Sequence, residues 1–329
     1  MMGDGTLLLS RGDVERLLSI RDCIDAVETV FRWQGEGKVP APGILSVKAA
    51  KGGLHVKAGL LPGEQSYIVA KLNTNFPQNR VHHDLPTIQG LVALYDAENG
   101  RLLAVLDSIE LTIRRTAAAS AVAAKYLARP DSAVATLCGC GQQAATQLRA
   151  LGAVLPLRRI QAFDLDPAAA ENLALNLKGE FEIQAITDLG RAVRQSDVCI
   201  TCTTATKFFI RQEDVSPGTF IAAVGADDSH KQEIEPALLA SVKVVADSLE
   251  QCCTIGDTHH AIAEGLMRKE DVYAELSEVV AGRKSGRTSD AEIFVFDSTG
   301  VAIEDAIAAV AVYRKACETR RGERFNFAA

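Results

Sequence analysis

The sequence predicts an α/β protein in which a doubly wound parallel sheet is joined to an α+β domain. Three observations carry this. From residue 134 to about 298, short apolar runs alternate with helical patterns, the signature of successive βα units. Between residues 43 and 107 the texture is instead β-branched and alternating, and the turn Glu98-Asn99-Gly100 before residues 101 to 106 marks a hairpin. The length, 329 residues, suits two domains with a sizeable core.

Residues 6 to 9 form a short apolar run, and Ser10-x-x-Asp13 then reads as a helix N-cap with an acid in the first turn. Ile24, Val27, Val30 and Phe31 continue that helix at helical spacing through Arg32, and Gly35-Glu36-Gly37 closes it. Residues 44 to 47, 54 to 60, 67 to 72 and 88 to 95 are strands of a mostly antiparallel sheet. Residues 110 to 127, rich in alanine and free of Gly and Pro, form a long helix. The parallel sheet takes residues 134–138, 159–163, 197–201, 219–224, 243–246 and 292–296, and after Ser298-Thr299-Gly300 residues 301 to 317 form a last amphipathic helix. The expected domains are residues 1–117, completed by 303–329, and residues 118–302.

Composition narrows the class. Hydrophobic content of 47% with 23% charged residues is that of a globular protein, and a net charge of −7 without a Lys/Arg block argues against nucleic acid and anionic membranes. No long uncharged apolar run occurs, and no basic segment followed by one opens the chain, so a cytoplasmic location is expected. Among the eight cysteines, Cys199 and Cys202 lie in a stretch that reads as a buried strand, and Cys252, Cys253, His259 and His260 lack a separated pair with zinc-ligand spacing. Reduced thiols and no metal are expected.

The richest motif comes after the run Val134-Ala135-Thr136-Leu137-Cys138: Gly139-Cys140-Gly141-Gln142-Gln143-Ala144, a G-x-G-x-x-A fingerprint. Gly139 permits a tight turn, Gly141 has no Cβ to keep a pyrophosphate from the backbone, and Ala144 lets the next helix pack closely, with phosphate on its N-terminus. A second run ends in Asp164, about 20 residues beyond the fingerprint, where a carboxylate accepts from both ribose hydroxyls and repels a 2′-phosphate. The domain is therefore read as Rossmann-type, with NAD(H) favoured and NADP(H) the alternative. The competing reading is an ordinary strand, turn and helix, with Asp166-Pro167 capping the next helix.

The chain resembles the ornithine cyclodeaminase and mu-crystallin family over nearly its whole length. The resemblance rests on Ala70-Lys71-Leu72 with Asn75-Phe76-Pro77, on Arg115-Thr116-Ala117-Ala118 and on the fingerprint. It continues through Val224-Gly225-Ala226-Asp227 with Lys231-Gln232-Glu233, and through Asp297-Ser298-Thr299-Gly300 with Glu304-Asp305. It implies that Lys71 and Arg115 hold a substrate carboxylate, which suits a guanidinium fork beside an ammonium. Asp227 would be the third catalytic residue, serving the substrate nitrogen beside these two cations. Val224, Gly225, Ser298 and Gly300 would join Gly139, Gly141, Gln142, Gln143, Ala144 and Asp164 in holding the cofactor.

Family cyclodeaminases use a further arginine on an early strand, whereas here that stretch reads Gly43-Ile44-Leu45-Ser46-Val47-Lys48. Lys48 or Lys57 would replace it, with Lys57 preferred. Each residue also has a plainer reading: Lys71 as a solvated strand residue, Arg115 as a surface charge, Asp227 as a cap for a helix over residues 233 to 239.

The resemblance implies a homodimer paired through the first domain's sheet. It also implies a small amino-acid-like or cyclic imine substrate and one of several activities. The leading one is NAD(P)H-dependent reduction of a cyclic ketimine acid to L-proline or L-pipecolate. The alternatives are ornithine or lysine cyclodeamination with NAD recycled, alanine dehydrogenation, and non-catalytic binding.

Overall fold

The computed structural model describes residues 5–327, and the chain divides into two compact units, Met1–Arg115 with Ala302–Ala329, and Thr116–Val301. The first unit is built on a seven-stranded sheet. Its strands are β1 (Thr6–Leu9), β2 (Gly43–Ala49), β3 (Gly52–Leu61), β4 (Tyr67–Asn75), β5 (Ile88–Asp96), β6 (Leu102–Asp107) and a late strand, β17 (Glu323–Phe325). Their order is β17-β1-β6-β5-β4-β3-β2, antiparallel throughout except for the parallel pair β1 and β6. The register lines up Ile44, Lys57, Lys71 and Val92 across four strands, and Leu45, Val56, Leu72 and Leu91 in the next row, facing the opposite way.

Those two faces have different fates. On one, Tyr67, Val69 and Lys71 are buried under the helix Ala302–Thr319, where the Tyr67 ring meets Tyr313 edge-on with centroids 6.3 Å apart. On the other, Leu45, Val47, Ile68 and Leu91 remain 40 to 58% exposed, an apolar surface on an otherwise well-packed unit.

The segment expected as one helix from Asp13 to Arg32 is two, Arg11–Leu17 and Ile20–Gly35. Leu18 is extended (φ −114°, ψ 92°), and Ser19 opens the second helix by accepting from the Asp22 amide at 3.1 Å. Ser19-x-x-Asp22 thus repeats the start signal of Ser10 and Asp13, and a local cap outweighs the continuous apolar spacing. Cys23, Ile24, Val27, Val30 and Phe31 are buried from this second helix.

The second unit is a parallel sheet. Its strands are β7 (Val134–Cys138), β8 (Arg159–Phe163), β9 (Glu182–Ala185), β10 (Val198–Thr201), β12 (Phe220–Ala223), β14 (Lys243–Ala246), β15 (Ala274–Glu275) and β16 (Phe294–Asp297). They run in the order β15-β14-β16-β12-β10-β7-β8-β9, while β11 (Thr206–Ile210) and β13 (Gln232–Ile234) form a separate pair. The chain works outward from β7 in one direction and then from β10 in the other, so the order reverses between these two strands, where ligands of such sheets bind. Expected strands β7, β8, β10, β12, β14 and β16 are present. The edge strand β9 is an addition to that set: its residues are mostly exposed and carry no apolar run to announce it. No helix of the described residues is long and apolar enough to cross a membrane.

Candidate active site

In the first unit, Lys71 lies mid-strand on the covered face of β4, and the first turn of the helix Ala302–Thr319 supplies its counter-ions. Lys71 Nζ lies 2.6 Å from Asp305 Oδ2; Arg115 donates from Nε to Asp305 Oδ1 at 2.9 Å and from Nη1 to Glu304 Oε2 at 2.8 Å. All four side chains are at most 6% exposed as residues. The solvated readings of Lys71 and Arg115 are therefore wrong.

Burial pushes the Lys71 ammonium down to about 8, although Asp305 pulls the other way. Burial also opposes ionisation of Asp305, but Arg115 and Lys71 outweigh it and hold that carboxyl below its ordinary value. Arg115 is raised because Asp305 and Glu304 more than offset its own burial. Lys57, directly across from Lys71 in the β3–β4 pairing, completes the group. Lys48 shares this face but pairs with Gly53, four residues from Lys57 along β3, roughly 13 Å away at strand rise. Lys57, Lys71 and Arg115 thus stand together with Glu304 and Asp305.

Glu304 and Asp305 enter the sequence reading only as part of a family pattern. The signal that marks them is two adjacent acids in an otherwise apolar stretch, Val301-Ala302-Ile303 before and Ala306-Ile307-Ala308 after, where an unpaired charge would be excluded.

In the second unit the fingerprint lies at the carboxyl end of β7. Gly139 adopts φ +93°, and a Cβ there would stand 2.8 Å from the Cys202 carbonyl oxygen and 2.9 Å from Thr203 Cγ2. A Cβ on Gly141 would meet nothing within 4 Å, so the space over its backbone is open. Asp164 accepts from the Cys140 amide at 2.7 Å and from the Asp166 amide at 2.9 Å, which fastens it against the glycine turn. Asp166 caps the next helix, Pro167–Asn176, through the Ala168 amide, so the competing reading of that residue also holds. Gln142 and Gln143 precede Ala144, which is buried at the start of the helix Ala144–Gly152. An open cradle over Gly141, a helix N-terminus and a carboxylate beside the turn fit a dinucleotide.

The remaining predicted cofactor residues sit on turns fastened by buried acids. Glu233 accepts from Thr201 Oγ1, the Thr203 amide and Thr203 Oγ1, each at 2.7 Å, and from the Gly225 amide at 2.9 Å. A Cβ on Gly225 would fall 2.4 Å from that carboxylate, and Val224 bonds back to Thr201 O. Asp247 accepts from Ser298 Oγ, the Thr299 amide and the Gly300 amide at 3.0, 2.8 and 2.6 Å. Asp297 accepts from the amide and hydroxyl of Thr258, and Asp257 from the amides of Glu233 and Ile234. Sequence reasoning meets Glu233 and Asp297 only within the family pattern and does not reach Asp247 and Asp257, because most partners of these acids lie tens of residues away.

Asp227 lies beyond β12, its side chain 54% exposed, and Lys231 Nζ approaches it at 2.5 Å. It caps no helix over residues 233 to 239: that stretch is β13 followed by the helix Pro236–Ser241, whose N-cap is Glu235.

All eight cysteines are free thiols. Cys252 is committed to Asp247 and the Asp297 carbonyl, and His260 Nε2 lies 2.8 Å from the Lys231 carbonyl. Among the described residues no group of three or more His, Cys, Asp or Glu is arranged to hold a metal ion.

Burial raises the Asp297 carboxyl to about 7 and also raises Asp257 and Glu233. A folded carboxyl above its unfolded value near 3.8 keeps a proton that the unfolded chain has lost, so stability falls as pH climbs from about 4 to about 7. Denaturant unfolding is expected to show greater stability at pH 5 than at pH 7.5; a flat or rising profile would contradict this arrangement.

Residues 5–320 match the family model described as the ornithine cyclodeaminase/mu-crystallin family. The alanine dehydrogenase of Archaeoglobus fulgidus is 38% identical over 322 residues, 98% of each chain. Two solved structures are similar. One is an archaeal alanine dehydrogenase dimer with bound NAD (TM-score 0.93, 37% identity, 98% of this chain and 99% of that one). The other is the Thermococcus litoralis Δ1-pyrroline-2-carboxylate reductase with NADH and L-proline (TM-score 0.88, 34% identity, 97% and 100%). The fingerprint, the buried cation cluster and similarity along the full chain agree: this protein belongs to the ornithine cyclodeaminase/mu-crystallin family.

Proposed function

We propose that this chain is a cytoplasmic homodimer that reduces a cyclic ketimine acid, Δ1-pyrroline-2-carboxylate or Δ1-piperideine-2-carboxylate, to L-proline or L-pipecolate with NADH, NADPH being the alternative donor. The coarser statement, an NAD(P)-dependent oxidoreductase, is common to the two similar enzymes whose structures hold NAD or NADH. The observation that carries the finer one is the charge of the buried cluster. Lys71 and Arg115, with Lys57 across the strand pair, present cations suited to a substrate carboxylate, and Asp305 and Glu304 already pair with Lys71 and Arg115. A diamino acid such as ornithine brings a second ammonium, which the cations of this cluster disfavour.

In this reading, the N–H groups of Arg115 that Glu304 and Asp305 do not use grip the substrate carboxylate, and Lys57 adds charge beside it. Lys71 gives its proton to the imine nitrogen; an ammonium held near 8 is matched to that task at neutral pH. Asp227 orients the same nitrogen. Gly139, Gly141, Gln142, Gln143, Ala144, Asp164, Val224, Gly225, Ser298 and Gly300 hold the nucleotide, which when bound supplies the hydride received by the substrate's α-carbon. The exposed face of Leu45, Val47, Ile68 and Leu91 is assigned to the second copy, and free thiols suit a reducing compartment. A second reading, oxidative deamination of L-alanine, is favoured by the 38% identity to the archaeal alanine dehydrogenase.

The test is direct. The protein is incubated with NADH, and separately NADPH, plus Δ1-pyrroline-2-carboxylate; with NAD plus L-alanine; and with catalytic NAD plus L-ornithine, following nicotinamide absorbance and ammonia. Oxidation of the cofactor by the imine is the expected result. NAD reduction by alanine would establish the second reading, and ammonia from ornithine without net cofactor change would replace both.

A further inference from the structure

We propose that Asp305 is a positioning residue: its single buried carboxylate bridges Lys71 and Arg115 and locks both cations in the arrangement that receives the substrate. Each oxygen has its own partner, Oδ2 the Lys71 ammonium at 2.6 Å and Oδ1 the Arg115 Nε at 2.9 Å. Glu304, its neighbour in the helix turn, reaches Arg115 through Nη1. The two acids are therefore not equivalent, because the Lys71 ammonium pairs with Asp305.

The surroundings of Lys71 make that bridge decisive. The charged groups facing it are Asp305 from the helix Ala302–Thr319, Arg115 from the helix Ser108–Leu127 and Lys57 from β3; its row partner on β5 is the apolar Val92. Two of the three are cations, and both favour loss of the Lys71 proton, as burial does; Asp305 is the one that favours keeping it. The carboxylate itself sits in the first turn of its helix, where the backbone dipole favours negative charge. It sets the direction of the ammonium and the guanidinium together, and it preserves the proton Lys71 is to deliver.

This inference rests on the proton-donor role given to Lys71 above, so its test includes a readout that needs no turnover. In wild type and in Asp305→Asn, trace acetylation of lysines across a pH series, read peptide by peptide by mass spectrometry, gives the midpoint at which Lys71 becomes a free amine. The midpoint is expected to fall by about one to three pH units in Asp305→Asn, the size of a lost counter-charge within hydrogen-bond range. With the imine substrate, the basic limb of kcat/KM should move down by the same amount. Glu304→Gln should raise KM through Arg115 while leaving the Lys71 midpoint in place.

A midpoint that Asp305→Asn does not move overturns the proposal, whether or not an imine is reduced. A shifted midpoint in a protein that reduces no imine supports the Asp305 bridge and sinks the reductase reading alone. Where Asp305→Asn does not fold, Asp305→Glu decides. A retained midpoint with kcat/KM reduced at least tenfold supports a bridge of fixed length, and unaltered kcat/KM overturns it.

Discussion

Replacing Arg115 by alanine is expected to lower kcat/KM by about two to three orders of magnitude, the loss of one or two charge-assisted bonds to a carboxylate at about 1.5–3 kcal/mol each. The same change strips Glu304 of the partner at 2.8 Å and Asp305 of the one at 2.9 Å, both inside the unit. Uncompensated buried charge of this kind costs about 3–5 kcal/mol, so a fall in thermal stability should accompany the loss of rate. Arg115→Lys is expected to recover part of the stability but little of the rate, because an ammonium keeps the charge and loses the fork. Steady-state kinetics on the imine substrate and a thermal melt check both. Unaltered kcat/KM in Arg115→Ala would remove this residue from the substrate site.

The two fingerprint glycines should separate in their effects. Gly139→Ala places a Cβ 2.8 Å from a main-chain oxygen at a residue with φ +93°, so both the nucleotide unit's stability and its affinity for NAD(H) should drop. A stability loss of about 1–3 kcal/mol is expected from the strained backbone alone. Gly141→Ala meets open space and should leave the melting temperature unaltered. It should nonetheless weaken NAD(H) binding by about 10- to 100-fold, the loss of one or two charge-assisted amide-to-phosphate bonds. Calorimetric titration with NADH beside a thermal melt separates the two. Equal affinities for wild type and Gly141→Ala would mean that the pyrophosphate does not lie over this turn.

The legible part of the fold is the local part. The fingerprint, its strand and the carboxylate of Asp164 fall within about 30 consecutive residues, and turn, strand and helix preferences all act over that range. The hairpin at Asn99-Gly100 and the alanine-rich helix announce themselves for the same reason. The break at Leu18 and Ser19 is written in the same Ser-x-x-Asp form as the first helix start, but the apolar spacing from Ile24 onward masks it.

The candidate site is legible in its cations and not in its acids. Lys71 is conspicuous as a charge between apolar neighbours on a strand. That it pairs with Asp305, or that Glu233 fastens Thr203 and Gly225 together, depends on segments brought close only by the finished fold. The β3–β4 register, which sets Lys57 against Lys71 and Lys48 four residues along, likewise comes from hairpin pairing that composition does not specify.

The buried ion cluster also bears on how the protein is made. Arg115 and its acidic partner Asp305 are separated by 190 positions, and the whole nucleotide-binding unit is synthesised between them. On the ribosome, the residues up to Arg115 emerge with their lysine and arginine already present but without the helix that neutralises and covers them, so this unit cannot complete its interior until the helix Ala302–Thr319 has been made. The nucleotide-binding unit, contiguous in sequence, has no such delay and is free to fold first.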